Sequence, residues 1–409
     1  MRGAHSSARR ERHGPGSRAG FTGQVHGQGS RAGIMGRVIG LMSGTSLDGV
    51  DVALIETDGE AVSVTRGGNG GLAPLGPTGY RAYSDEDRAL LRRALADAEA
   101  IRARGDRPGI LREAEDLVTA RHAEAVEAFL AETGLAPGDI DLVGFHGQTV
   151  IHRPGAGLTV QIGDGEALSR RLGLPVVHDL RDADVRAGGQ GAPLVPVFHR
   201  ALARASGFEG ALAILNIGGV ANVTLISRAG DLLAFDTGPG NALLDDWMRE
   251  RTGTPLDRGG RAAAAGRPDE ALLAWLLVHP YFTRRPPKSL DRNWFSHRVA
   301  GQLPTEDGAA TLTAFTVRAI ARALDFAEEP PPHWIVAGGG ARNAEMLRLL
   351  RHHLRAEVTP ADAIGWSSSH LEAQAFAYLA ARSARGLPIT FPSTTGAPAP
   401  MTGGVTARP

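Results

Sequence analysis

A chain of 409 residues with 42% apolar and 22% charged residues has the make-up of a globular protein with room for two or three hydrophobic cores. Its formal net charge of zero gives no pull toward nucleic acid or an anionic membrane, and no apolar run reaches the roughly 18–20 residues of a membrane span. The lack of cysteine removes disulfides and thiol chemistry and fits a reducing, cytoplasmic setting.

Residues 1–34 carry Arg2, Arg9, Arg10, Arg12, Arg18 and Arg31 against Glu11, among many Gly, His and Ser. Little here could offset chain entropy, so a disordered basic extension is expected. Met35 reads as an alternative start, with a transit peptide as the competing reading. The runs Val38-Ile39-Gly40-Leu41 and Val50 to Ile55 then read as two strands, followed by a polar, Gly-rich stretch to about residue 82. Two amphipathic helices come next. Residues 85–105 place Leu90, Leu91, Leu95 and Ile101 near helical spacing before Gly105, and residues 112–134 end at Gly134. "DIDLVGFHGQTVIHRP" is strand-like, "TVQIGDGEALSRRLG" strand then helix, and "PVVHDLRDAD" strand then polar loop. A helix carrying Phe198 and Leu202 follows "GGQGAP".

Near Ala211 the opening layout returns. "LAILNIGGVANVTLIS" repeats the strand, small-residue turn and strand of "RVIGLMSGTSLDGVDVALIE". That echo indicates two related halves. "LLAFDTGPGNALLDDWMRE", the helix "AATLTAFTVRAIARAL", the strand-turn-helix "HWIVAGGGARNAEMLRLLRHHL" and a closing helix "SHLEAQAFAYLAARSARG" complete the second half. The expected organisation is therefore α/β, with halves at residues 35–208 and 209–395, each a mixed sheet flanked by helices, and a tail at 396–409. The cleft between the halves is the expected ligand site.

The first turn, Gly44-Thr45-Ser46-Leu47-Asp48-Gly49 and on to Val50 and Asp51, suits an anion. Small residues let backbone N–H groups converge, the hydroxyls add donors, and Asp48 is placed to hold magnesium through water. It is not a Walker loop, because no lysine is present and a strand follows instead of a helix. A turn rich in small residues for conformational reasons alone is the competing reading. The second turn, with Gly218 and Gly219, would cradle the other side of the same polyphosphate; a β-bulge would also explain a double glycine. Gly338 and Gly339, after the strand ending at Ala337, permit close approach of a base or ribose, or form an ordinary strand-to-helix loop. Asp236 in "FDTGPGN" is the leading candidate base, at the end of an apolar strand and before a rigid turn. Asp179 in "PVVHD" is its rival, because strand-end aspartates are often only turn formers or caps. Glu372 opens the last helix and is otherwise a helix-dipole partner. His146 and His152 lack a supporting zinc spacing and read as loop hydrogen-bonders. Lys288 is the sole lysine beside 43 arginines, since Lys and Arg total 44. It marks either a place where a guanidinium does not fit or chance survival on a surface loop.

Taken together in this order, "GLMSGTSLDGVD", "GFHGQTVIHRP", "QIGDG", "DLRDADVRAGGQGAPLVP", "LNIGGVANVT", "DTGPGNALLD", "PPKS", "VAGGGARN" and "LEAQAFAYLA" resemble the anhydro-N-acetylmuramic acid kinase family, within the superfamily of sugar kinases, actin and the Hsp70 chaperones. The resemblance runs from about Met35 to Gly396. It implies two actin-like (RNase H-like) halves, ATP and Mg²⁺, a small anhydro amino sugar as substrate, no nucleic-acid or membrane partner, and a homodimer. It implies that ATP and water convert 1,6-anhydro-N-acetylmuramic acid to N-acetylmuramic acid 6-phosphate, with Asp236 as the catalytic aspartate and Glu372 as the second carboxylate near the attacking water. It assigns Gly44 to Asp51 to the ATP phosphates; His146, Gln148 and Lys288 are the candidate sugar contacts. The segment Asp291 to Phe295 and the "WSSSHLEA" stretch depart from the commoner pattern. An ordinary hexose or N-acetylhexosamine kinase, or an actin-like ATPase, is the alternative function.

Overall fold

The computed structural model describes residues 35–64, 75–290 and 292–409. The basic extension at 1–34 and Asp291 lie outside the described residues. From Met35 to Pro409 the chain forms one compact unit. Its strands are β1 (Gly36–Ser43), β2 (Gly49–Thr57), β3 (Thr78–Ala82), β4 (Leu142–Arg153), β5 (Leu158–Ile162), β6 (Val176–His178), β7 (Leu212–Ile217), β8 (Val220–Ile226), β9 (Leu232–Pro239), β10 (His333–Ala337), β11 (Glu357–Pro360) and β12 (Val405–Ala407).

They form two sheets built on one plan. The first runs β12-β6-β4-β1-β2-β3, with β5 also on β4; the second runs β11-β10-β7-β8-β9. In the first, β1 pairs antiparallel with β2 and parallel with β4, and β2 pairs antiparallel with β3. In the second, β7 pairs antiparallel with β8 and parallel with β10, and β8 pairs antiparallel with β9. The order β6-β4-β1-β2-β3 coincides strand for strand with β11-β10-β7-β8-β9, and β12 and β5 are additions to the first sheet. The repeat expected from the two Gly-rich hairpins is thus a repeat of topology.

Helices cover both faces of each sheet, so the strands are apolar on both sides. Leu91, Val118, Val126 and Phe129, from helices Asp85–Ala98 and Leu111–Thr133, pack on the outer face of the first sheet. On the second sheet, Trp334 and Val336 meet Val317, Ile320 and Leu350 on one side, while Ile335 and Ala337 face the other. Between the sheets lie helices Pro196–Ala205 and Leu371–Ala384, whose Phe198, Leu202, Phe376 and Tyr378 share a core with Val38, Ile55, Ile214 and Ile335. A fourth cluster of Leu243, Trp247, Phe282 and Phe315 belongs to an addition in the second half.

Three expectations change. Helix Pro196–Ala205 packs on β8 and β9, and helix Leu371–Ala384 packs on β1, β2 and β4. The halves exchange helices, so boundaries at 208 and 395 do not follow the packing. Residues 396–409 are no loose tail, because β12 completes the first sheet beside β6. Within the stretch expected to be polar loop, Thr78–Ala82 is an edge strand.

Local chemistry sets the ends. Ser84 and Asp87 form a reciprocal capping box at the first helix. That helix stops at Ala98 rather than Gly105, because the Asp106 carboxylate captures the N–H groups of Arg102 and Ala103 at 2.9 and 2.8 Å. Gly134 ends the next helix in the left-handed region at φ 69°.

Candidate active site

The ends of β1, β7 and β10, reached at Met42, Asn216 and Ala337, border one cavity of about 390 Å³ between the two sheets. Each of these strands runs directly into one of the glycine turns. Asp236, Glu372, Lys288 and Arg181 line the same cavity.

Sheet register explains how Asp236 arrives there. Asn216 pairs with Asn222 across β7–β8, and Asn222 pairs with Asp236 across β8–β9. Cross-strand partners point to the same face, so the three polar side chains form a row leading into the cavity. The register shifts between Ala221 and Asn222, leaving Thr237 as the extra residue on β9. That bulge re-aims the strand at the position of the carboxylate.

Asp236 is held on three sides. Its Oδ2 accepts the Leu290 N–H at 2.8 Å, its own N–H donates to the Lys288 carbonyl at 3.0 Å, and its carbonyl accepts the Tyr281 hydroxyl at 2.5 Å. Burial pushes its carboxyl up to about 6, and the Leu290 N–H works against that shift. A base must be ionised to accept a proton, so kcat/KM is expected to fall as pH drops, with an acid limb centred near pH 6 that disappears in Asp236→Asn. A flat profile down to pH 5 contradicts this.

Glu372 opens helix Leu371–Ala384. Its side chain is exposed to the cavity, and desolvation by the protein around that cavity raises its carboxyl above the usual range against the pull of Arg181. Arg181 is fixed behind it. Its Nε donates to His146 Nε2 at 3.0 Å, one terminal nitrogen donates to the Gly191 carbonyl at 2.7 Å, and the guanidinium lies 6.0 Å from the Phe376 ring centre. Burial lowers its pKa to about 10, which leaves it cationic at neutral pH. His199 also faces the cavity, bonded to Thr224, and burial lowers it to about 3, so it stays neutral.

The first turn is braced from beneath. Ser43 Oγ donates to Gln148 Oε1 at 2.5 Å, Gln148 Nε2 donates to the Gly44 carbonyl at 3.2 Å, and the Tyr83 N–H donates to the Asp48 carbonyl at 2.9 Å. Thr45, Ser46 and Asp48 project outward, and Ser46 donates to Asp48 at 2.7 Å. Leu47, at φ 56°, and Val50 turn inward to the first core, and Gly49 lies against the Arg81 carbonyl. Those three have only backbone to offer a ligand. Gly338, at φ 76°, lies so close to Asn216 that a Cβ there would sit 2.4 Å from its Oδ1. Asn241 donates to the Ile217 carbonyl at 2.9 Å, and Gly339 lies beside it. Gly218, Gly219, Gly338 and Gly339 are therefore one joint surface.

A sequence profile of the anhydro-N-acetylmuramic acid kinase family matches residues 36–408. An anhydro-N-acetylmuramic acid kinase of Methylobacterium nodulans is 82% identical over 369 residues, covering 90% of this chain and 99% of that protein. The chain belongs to the anhydro-N-acetylmuramic acid kinase family. Enzymes of the same name from Methylorubrum populi, at 66% identity, and Nitrobacter winogradskyi, at 57%, each align over 90% of this chain and 98% of their own length.

As a member of the anhydro-N-acetylmuramic acid kinase family, the chain is a kinase, and its site sets aside the rival base Asp179 and departs from the expected sugar contacts at three residues. Asp179 faces a separate cavity of about 310 Å³, beside Arg104 with which it is paired, and does not reach Asp236's cavity. His146 lines that separate cavity and meets the main one from behind, against Arg181 and Phe376. Gln148 is buried beneath the first turn and holds it instead of facing a sugar. Lys288 borders the cavity, but its ammonium turns inward to the carbonyls of Tyr281 and Phe282 at 3.0 and 3.5 Å. Asn216, Asn222, Arg181 and His199 are cavity groups that sequence reasoning did not assign to the sugar pocket. For the asparagines the signal existed in the hairpin register; for Arg181 it lay two residues beyond Asp179.

Proposed function

We propose that this chain uses ATP and water to convert 1,6-anhydro-N-acetylmuramic acid into N-acetylmuramic acid 6-phosphate, a step of cell-wall recycling in the cytoplasm. The observation that carries the reading is Asp236: a largely buried carboxylate of raised proton affinity, on the wall of a cavity bordered by the strands that run into three glycine turns.

In the anhydro sugar O6 is bonded to C1, so no 6-hydroxyl exists to be deprotonated. Asp236 takes a proton from water as the water oxygen bonds to C1. The C1–O6 bond breaks, and O6 takes the γ-phosphoryl group while ADP leaves. General-base help of this kind is worth about 10²–10⁴-fold. Glu372 orients the same water, and the charge of Arg181 favours the ionised form of that carboxylate against its desolvation. Asn216 and Asn222 supply neutral hydrogen-bonding groups along the wall leading to Asp236. The backbone of the turns at Gly44, Gly218 and Gly338 provides N–H groups for the phosphates.

The first turn also fits a magnesium ion carried in by the nucleotide. Burial and the neighbouring charges of Asp48 and Glu372 push Asp51 up to about 7, and a cation on the phosphates would relieve that crowding of negative charge. Among the described residues no group of three or more acidic or histidine side chains is placed to hold a metal alone; in this reading Asp48 acts through water. When bound, the ion neutralises charge developing on the phosphates. A homodimer belongs to the same reading and is checked by equilibrium sedimentation.

The test is a coupled assay with ATP and either the anhydro sugar or the free amino sugar. Sugar 6-phosphate is expected from the anhydro sugar alone. Phosphorylation of only the free sugar would make the chain an ordinary hexosamine kinase, and ATP loss without a phosphosugar would make it an ATPase.

A further inference from the structure

We propose that Lys288 is the positioning residue for Asp236: its ammonium is an internal strut that sets the carboxylate's place, and it does not bind the sugar. This rests on Asp236 being the base. Three hydrogen bonds to Asp236 come from one segment, residues 281–290: those of the Tyr281 hydroxyl, the Lys288 carbonyl and the Leu290 N–H. Lys288 ties the two ends of that segment together. Its Nζ donates to the carbonyls of Tyr281 and Phe282 and lies 4.7 Å from the ring centres of both Tyr281 and Phe326, and 5.6 Å from that of Phe235. Phe235 adjoins Asp236 in β9.

The residue type follows from this cage. Lys288 is 5% exposed, so its charge has little water to turn to and depends on carbonyls and ring faces. A compact ammonium fits among three rings and still points at two carbonyls of adjacent residues. A planar guanidinium is broader and presents its donors in a fixed fork. This accounts for the one lysine in a chain that otherwise uses arginine throughout. Releasing the strut frees residues 288–290 to drift, and with them the N–H that orients Oδ2.

Two variants separate this role from packing and from substrate binding. Lys288→Met keeps an unbranched apolar stem in the cage and removes the donors; Lys288→Arg keeps the charge and loses the fit. Both should lower kcat by roughly tenfold or more, because small displacements of a reacting group are costly, with KM for sugar and for ATP within about twofold of wild type. Weakening the Leu290 hydrogen bond should also move the acid limb of kcat/KM upward by about half a pH unit to one unit. Tyr281→Phe removes a single hydroxyl from the same clamp and should give the same signature in milder form; it decides the matter alone if neither Lys288 variant folds. A raised sugar KM with unchanged kcat would make Lys288 a substrate ligand and overturn the proposal. Normal kcat with an unmoved acid limb, whatever the melting temperature, would overturn it too. If Asp236→Asn keeps full activity, the parent reading fails; if it is inactive while the Lys288 and Tyr281 variants are normal, only this inference fails.

Discussion

Asp236→Asn is expected to lower kcat by at least about 10²–10⁴-fold while leaving ATP affinity within about twofold. The amide is nearly the size of the carboxylate and still accepts from the Leu290 N–H, but it takes no proton from water. The nucleotide turns lie on other strand ends, so their geometry should not register the change. Stability gives an internal control. The folded Asp236 holds its proton more tightly than the unfolded chain, at about 6 against 3.8. Its contribution to stability is therefore fully present below the unfolded value and is lost as pH rises through about 6. A neutral amide escapes that loss, so at pH 7 the variant should melt no lower than wild type. Isothermal titration with an ATP analogue, beside turnover and melting curves, checks all three. Near-normal turnover would remove Asp236 from the mechanism.

Gly40→Val should cost about 4 kcal/mol or more, enough to unfold much of the protein. Valine suits a strand, so any loss is steric. A Cβ at residue 40 would lie 1.8 Å from the Ala373 carbonyl oxygen and 2.5 Å from the Ala377 nitrogen, and Gly144 on the adjacent strand would bring one 2.2 Å from the Phe376 oxygen. These are helix backbone atoms, which cannot swing aside. Helix Leu371–Ala384 bears on the sheet through this glycine pair, and it carries Glu372 at its start. Any folded fraction should thus also lose the second carboxylate's placement. Gly105→Ala, with nothing within 4 Å of the new Cβ, is the near-neutral control. Urea denaturation measures both, and a wild-type midpoint for Gly40→Val would refute the close packing.

Where the sequence was periodic, the fold was legible. The two hairpins, the helix ending at Gly134 and the helix carrying Phe198 and Leu202 all stand where their patterns put them. Two short strands were not: β3 and β12 are mostly exposed and lack the apolar run that marked the equally short β5 and β6. The helix exchange was hidden for a different reason. An amphipathic pattern says which face is buried and nothing about which sheet buries it, so Phe376 and Phe198 gave no hint that they cross between halves.

The site divides along the same line. Asp236 and Glu372 were found as carboxylates at the ends of regular elements, and they do share a cavity. Gln148 and Ser43 are polar and buried because they brace a turn, a role no linear motif distinguishes from ligand binding. Lys288 was marked by rarity. Rarity located a demanding environment, but the direction in which the ammonium points is a matter of packing among Tyr281, Phe235 and Phe326.

The most direct test is a crystal structure of the protein with a non-hydrolysable ATP analogue and the anhydro sugar. The terminal phosphate should point at O6, and one water should lie within about 2.6–3.2 Å of an Asp236 carboxylate oxygen, positioned to attack C1. An Asp236 carboxylate separated from C1 by more than that single water, with the domains closed on both ligands, would contradict the account.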